Sequence, residues 1–323
     1  MSKLGKVSKN LSDNLDEELL LQKPVSVWKR TIKRLLSKRS GKIGLLLICV
    51  IFVIAIAAPI IAPYDPQEVL IGKEVVKLKK REAPCIHVFG CDKVKPQHIM
   101  GIDGNYRDQF SRIIYGSRIS LSIGFSTVSF AVVGGVLLGA LAAFFGGWID
   151  NIIMRMMDVI LGFPSLLLAI AIVAVLGPGI RNALLAIAIV TLPAYARLTR
   201  ASVLTVKELD YVKASLALGA SPTRLLLFRI LPNSLTPIVV LATLGIATAI
   251  LDAAGLSFLG LGAQPPTPEW GTMLGSERNQ VFSAPHLVFF PGIAIMITVL
   301  AFNLFGDGLR DALDPLVGLF KIK

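Results

Sequence analysis

Three histidines, three cysteines and a few charges set in apolar sequence are the groups of this chain with chemistry to offer. Gly124-Phe125-Ser126 and Gly255-Leu256-Ser257 begin like a nucleophile elbow, but neither has the closing glycine that sharpens the turn and exposes the hydroxyl. There is no H-E-x-x-H to set two imidazoles on one helical face for zinc. Nor is there a G-x-x-x-x-G-K-[ST] to wrap backbone amides around nucleotide phosphates. No catalytic residue, metal set or bound cofactor is therefore assigned to this chain. Cys85 and Cys91 stand close together, with His87 and His98 nearby. Spacing alone leaves a short disulfide-closed loop and two free thiols as alternatives, and the lack of a C-x-x-C pair argues against metal. Cys49 falls inside an apolar run and is expected to be buried there.

Charged groups in apolar runs must be paired or wetted. Arg155 and Asp158, at i, i+3 spacing, read as a structural pair on one helical face. Asp252 lies late in another run, and for it a structural contact and a water-facing cavity are both open. The most polar interruption is "KELDYVKASLALGASPTRLLLFRILPN", residues 207–233. Tyr211, Ala214, Ser215 and Leu218 share one helical stripe, with Glu208 and Asp210 near its start and Gly219 as a left-handed stop. Ser221 is placed as N-cap and Pro222 as the first residue of a second short helix running to Pro232. Two short helices meeting at a fixed elbow result. Such an elbow either receives force from another protein or merely joins two apolar runs.

The elements that position these groups are spans. Apolar residues make up 54% of the 323 positions and charged residues 17%, with a mean hydropathy of +0.70, which places the chain in a bilayer. The formal charge of +12 does not indicate nucleic acid, because the cations gather beside apolar runs instead of interleaving with aromatics. Runs near the ~20 residues that cross a hydrocarbon core occur at 43–62, 119–143, 157–176, 180–196, 232–256 and 287–305. An all-α integral membrane protein of about six transmembrane helices follows, with five as the alternative because the fourth run is short and holds Pro193. Eleven of the 33 Lys and Arg precede residue 43 and mark the leader as cytoplasmic. The expected organisation is a basic segment with a surface helix at 1–42, an anchor at 43–63 and an extracytoplasmic loop at 64–118. A core at 119–306 follows, with a cytoplasmic loop at 197–231 and a cytoplasmic tail at 307–323. Ala55-Ile56-Ala57 resembles a signal-peptidase site, but the polar leader is too long for a signal peptide, so an uncleaved anchor is expected. Phe110, Ile113, Ile114 and Ile119 are spaced for a helix on or entering the bilayer. Gly134, Gly135, Gly139 and Ala143 are spaced for close helix packing.

The polar interruption resembles the coupling loop of ABC-transporter permeases. Lys213-Ala214-Ser215 stand at the "EAA" positions, Gly219 is the motif glycine, and Leu231-Pro232 end the motif. "MGIDGNYRDQFSRIIYGSRISLSIG", "IDNIIMRMMDVILGFPSLLLAI", "LSFLGLGAQPPTPEWGTML" and "FNLFGDGLRDALDP" resemble the C-type subunit of dipeptide and oligopeptide permeases. Departures are Lys213 and Ser215 in the motif, Ile102 and Tyr106 where Thr and Gly are usual, and a longer outer loop. The resemblance implies a type I ABC importer permease fold in the cell membrane, forming half of a pathway for dipeptides or oligopeptides. Nickel or oligosaccharide is the alternative solute, and an ion-gradient transporter the alternative class. It also implies a second homologous permease, two cytoplasmic ATPases using ATP and Mg, and an extracytoplasmic peptide-binding protein. Asp210, Tyr211, Lys213, Ala214, Ser215, Leu218, Gly219, Ser221, Arg224 and Pro232 would carry the ATPase contact, and Asp252, where it faces a cavity and is not a structural contact, would meet a peptide amino group.

Overall fold

The computed structural model describes residues 27–73, 78–92 and 94–313. The expectations placed on 1–26, on 74–77 of the Lys-rich outer stretch and on 314–323 fall outside the described residues. Helix α1, Val27–Leu35, precedes α2, Arg39–Ile56, and the short α3, Ala58–Ile61. An irregular outer segment follows, and the chain re-enters as α4, Gln109–Phe145. Then come α5, Gly147–Leu161, α6, Ser165–Leu176, and α7, Ile180–Lys207. The elbow comprises α8, Asp210–Ala217, and α9, Pro222–Leu225. The last helices are α10, Leu231–Phe258, α11, Trp270–Glu277, and α12, His286–Leu313.

Five stretches are long and apolar enough to cross a membrane: α2, α4, α7, the continuous run Pro222–Phe258, and α12. The expected third span, 157–176, is not straight. It is the α5–α6 pair, bent by 92° where Gly162 and Phe163 lead into Pro164. Pro164 cannot continue the helical ladder and disfavours helical backbone at the residue before it. Packing nevertheless shows that the pair carries the chain across. Gly135 of α4 lies against Tyr195 and Ala196 of α7, and Gly139 against Ala196, Thr199 and Arg200, so α4 and α7 run parallel. Two consecutive parallel crossings require one return crossing between them, which gives six.

Helix α4 begins ten residues earlier than the apolar run at 119–143, because Asp108 caps it by accepting from Ser111 N at 2.7 Å. Its 37 residues extend about 55 Å, well beyond the hydrocarbon thickness. The stripe at 110–119 is thus the projecting end of a span, not a separate helix. Helix α10 packs antiparallel to α4, with Gly124 against Ile246 and Ile250. Both helices belong to a central cluster that includes Ile51, Leu121, Val128, Tyr195, Ile238 and Phe302. Cys49 is exposed on α2, so the expectation that it is buried is wrong; the first span is a peripheral helix with a free face.

Outside the bundle the described residues between 62 and 108 have little regular structure, with isolated bridges Cys85–His98 and Ile102–Asp108. Cys85 and Cys91 are joined by a disulfide, with Cα atoms 5.4 Å apart. His98 Nδ1 is 2.9 Å from Asp108 Oδ1, and His87 Nε2 is 2.8 Å from the Lys95 carbonyl. Asp103 holds Arg107, whose Nε donates at 2.7 Å. Arg112 Nε lies 3.5 Å from the same carboxylate. This polar network sits over the projecting end of α4.

Candidate functional site

The elbow is one rigid angle in front of α10. Helix α8 ends at Ala217, and Gly219 turns the chain at φ +85°, a region that L side chains rarely adopt. Ser221 occupies the N-cap position in extended conformation. Its side chain makes no capping bond, and its carbonyl accepts Leu225 N at 3.0 Å. The expected second short helix is not separate. From Pro222 the chain runs continuously into α10, through a π turn at Leu226–Ile230. Pro232 explains that turn: it has no N–H to donate and its ring crowds the carbonyl four residues back. Widening to i→i+5 relieves this, so Leu231 N donates to the Leu226 carbonyl. The Arg229 carbonyl is taken up by Asn233 Nδ2 at 2.6 Å and, more weakly, by Tyr211 Oη at 3.4 Å, which ties α8 to the π turn. The expected loop at 197–231 accordingly shrinks to the elbow itself, because α7 continues to Lys207.

One buried residue pins α8 to the bundle. Val212 packs with Val203 and Val206 of α7 and with Leu225, Leu226 and Ile230. Burying a valine completely stabilises by about 1.5–3 kcal/mol, enough to fix the orientation of an eight-residue helix. The other side of the elbow is free. Leu218 is 88% and Phe228 72% exposed, and Tyr211 and Leu216 are exposed beside them. With Ser215, Gly219, Arg224 and Arg229, Leu218 and Phe228 line an open cleft of about 670 Å³. Tyr211, Lys213, Ala214, Leu218, Ser221 and Arg224 all face outward around this cleft or on the adjoining surface of α8, whereas Ser215 is half-buried and donates to the Tyr211 carbonyl at 2.7 Å. Lys213 Nζ is 3.0 Å from Glu208.

Charges on the elbow side of the bundle are paired differently from the expectation. Asp158 pairs with Arg197 of α7 and not with Arg155. Arg200 reaches Asp150 with two nitrogens, each at 2.5 Å. Helix α5 runs alongside α7, so a carboxylate on one finds a guanidinium on the other at closer range than along its own helix. Sequence periodicity has no access to that neighbour. Asp252 is half-buried on α10, on a stripe with Thr248 and Gly255 that faces away from α4, and has no ion-pair partner among the described residues.

At the opposite end of α10, three groups that sequence reasoning missed close the bundle. Glu269 is 1% exposed and accepts from Gly271 N at 2.9 Å, Thr272 N at 2.8 Å and Thr272 Oγ1 at 3.1 Å, capping α11. Helix α11 folds back onto α10, with Gly271 against Ala254 and Gly275 against Phe258, and Trp270 Nε1 donates to the Ile113 carbonyl at 3.0 Å. Glu277 at its end receives Arg81 Nε at 2.8 Å and Gly104 N at 2.9 Å, latching the outer segment to α11. The available signal was a carboxylate at each end of an otherwise apolar stretch.

Comparison with known proteins agrees with this arrangement. Residues 135–318 match the family model described as binding-protein-dependent transport system inner membrane component, and residues 26–78 match the N-terminal TM domain of oligopeptide transport permease C. A dipeptide transport system permease protein DppC from Alkalihalophilus pseudofirmus is 46% identical over 296 residues, 90% of each chain. A di/tripeptide transport system permease protein DppC from Pseudomonas aeruginosa is 50% identical over 84% of this chain and 86% of its own. A glutathione transport system permease protein GsiD from Pectobacterium atrosepticum is 43% identical over 89% of each chain. Among solved structures, the inward-facing MetNI methionine ABC transporter aligns with a TM-score of 0.53 at 19% identity, over 63% of this chain and 96% of that one, a likeness of fold. The elbow and every crossing from α7 onward lie inside the matched region, and the chain belongs to the inner-membrane permease components of binding-protein-dependent transport systems.

Proposed function

We propose that this chain is one half of the translocation pathway of an ATP-driven importer of dipeptides or short oligopeptides. The observation that carries the reading is the elbow: an apolar knob, Leu218 at the end of α8 and Phe228 on the π turn, held exposed where Val212 pins the two limbs together from behind. An exposed apolar surface on a rigid mount is what a partner protein can grip and displace. The partners on this reading are two ATPase subunits, which bind and hydrolyse ATP with Mg, and a second homologous permease across the pathway. An extracytoplasmic binding protein delivers the solute. Asp210, Tyr211, Lys213, Ala214, Ser215, Leu218, Ser221 and Arg224 form the ATPase contact, Gly219 sets its angle, and Pro232 fixes the π turn behind it. Because α9 and α10 are continuous, displacement of the elbow moves α10 and, through α11, the outer end of the bundle. The elbow face is cytoplasmic, and both termini lie on it.

Peptide as the solute is supported by the DppC relatives, and Asp252, on the free stripe of α10, is the group of the pathway suited to a peptide's amino terminus. Uptake of a labelled dipeptide by the assembled transporter in proteoliposomes tests the reading. Uptake should require internal ATP and the binding protein and survive collapse of ion gradients. Uptake abolished by an ionophore but indifferent to ATP would overturn it.

A further inference from the structure

We propose that α1 and the turn after it form a binding surface for anionic phospholipid headgroups in the leaflet on the elbow face. From Val27 to Lys42 the chain carries seven Lys and Arg and no acidic residue. The structure fixes the height of this run. Leu35 is buried against Gly41 of α2 and Gly308 of α12. On α12 the apolar sequence ends at Phe305, and Asp307, Arg310 and Asp311 follow, so α1 lies where the hydrocarbon gives way to headgroups.

The side turned away from the bundle has the matching chemistry. Ile32 and Leu36 are exposed and, with Lys33 and Ser37, line a shallow open depression. Ile43, Leu46, Val50 and Val53, also exposed, continue the apolar strip up α2. A helix so placed rests its apolar edge on acyl chains and holds its cations at the phosphates. Those cations are available. Lys38 is paired with Asp311 at 3.2 Å, whereas Lys33, Arg39 and Lys42 are exposed and have no ion-pair partner among the described residues. The continuity of the apolar edge with the outer face of α2 selects lipid over an acidic protein segment as occupant. A run of cations that served only to orient the first span during insertion would need neither the exposed Ile32 and Leu36 nor a seat packed against α12.

Native mass spectrometry of the intact transporter, offered equal phosphatidylglycerol and phosphatidylcholine, tests this. The wild type should retain phosphatidylglycerol preferentially, and K33Q/R34Q should lose that preference by about fivefold per charge removed, the equivalent of ~1 kcal/mol each. This variant leaves Arg39 and Lys42 beside the span, so insertion keeps its signal. K33R/R34K, which keeps both charges, should behave as wild type, and added inorganic phosphate should displace nothing. Equal retention of the two lipids by the wild type, undiminished preference in K33Q/R34Q, or displacement by inorganic phosphate would each overturn the proposal.

Discussion

Gly219 and Asp252 are the two positions at which single substitutions test the proposed function most directly. No atom lies within 4 Å of a Cβ built on Gly219, so the effect of substitution there comes from backbone conformation and not from crowding. At φ +85°, a β-branched residue is strained by about 1–3 kcal/mol, while asparagine enters the left-handed region far more readily. Gly219→Val should therefore uncouple ATP hydrolysis from transport and Gly219→Asn should largely retain coupling, as measured on purified complexes; equal activity of the two would remove Gly219 from the coupling role. For Asp252 the informative change is to asparagine, which keeps shape and hydrogen bonding but deletes charge. Uptake of peptides with a free amino terminus should fall severalfold while the complex assembles normally. Wild-type uptake by that variant would show that the pathway does not read the charge. The left-handed turn at Gly219 was legible in the sequence, because a stop must follow the stripe. Arg155 was not. Its i, i+3 spacing to Asp158 was real, but Arg197 on a neighbouring helix takes the carboxylate.

Among the elements, the outer segment has little regular structure and is held by the Cys85–Cys91 disulfide, by buried Leu70 and Ile102, and by polar contacts to the helices. Glu277 joins it to α11 by accepting from both Arg81 and Gly104 N. Glu277→Ala leaves Gly104 N without its acceptor and Arg81 without its counter-charge, a loss of about 1–3 kcal/mol. Amides near 78–85 and 101–105 should then exchange faster by hydrogen-exchange mass spectrometry while those of α4 remain protected; unchanged exchange would mean that the latch is redundant. Glu82 adds a pH dependence. Burial pushes its carboxyl up, but the Lys79 backbone N–H at 3.0 Å and the Lys95 ammonium at 3.2 Å outweigh this and hold it below the usual range. A depressed folded pKa stabilises above the unfolded value and is lost as pH falls through the folded value, so protection of this segment should decline on acidification and not at alkaline pH. Helix existence was largely legible from apolar runs, whereas the ends were not. Helix α4 begins early because Asp108 caps it under the outer segment, the third crossing breaks at Pro164, and the second limb of the elbow fuses with α10 through a π turn. Each of these depends on a neighbour or a hydrogen bond that periodicity does not encode.

At the scale of the whole molecule, the number of crossings and their direction are linked. Parallel packing of α4 and α7 forces the bent α5–α6 pair to return across the bilayer, and six crossings leave α1 and the end of α12 on the elbow face. If that face is cytoplasmic, as the proposed function holds and the cations from Lys29 to Lys42 and along the elbow favour, then α11 faces the opposite compartment. Ser276 on α11 and Ser221 at the elbow are both exposed and so report the two faces directly. Cys85 and Cys91 are tied to each other, so only Cys49 needs replacing to give an unreactive background. In that background Ser276→Cys should react with a membrane-impermeant thiol reagent in intact cells, and Ser221→Cys should react only after permeabilisation. Reversed labelling would mean either that the molecule is inverted or that the bent pair does not cross, since each exchanges the faces of the elbow and α11, and labelling of both in intact cells would mean that α10 does not separate them. A bent pair that does not cross conflicts with the parallel contacts of Gly135 and Gly139 on α7, so that cause of a reversal would place the error in the packing of α4 and α7 and not in the reading of their charges.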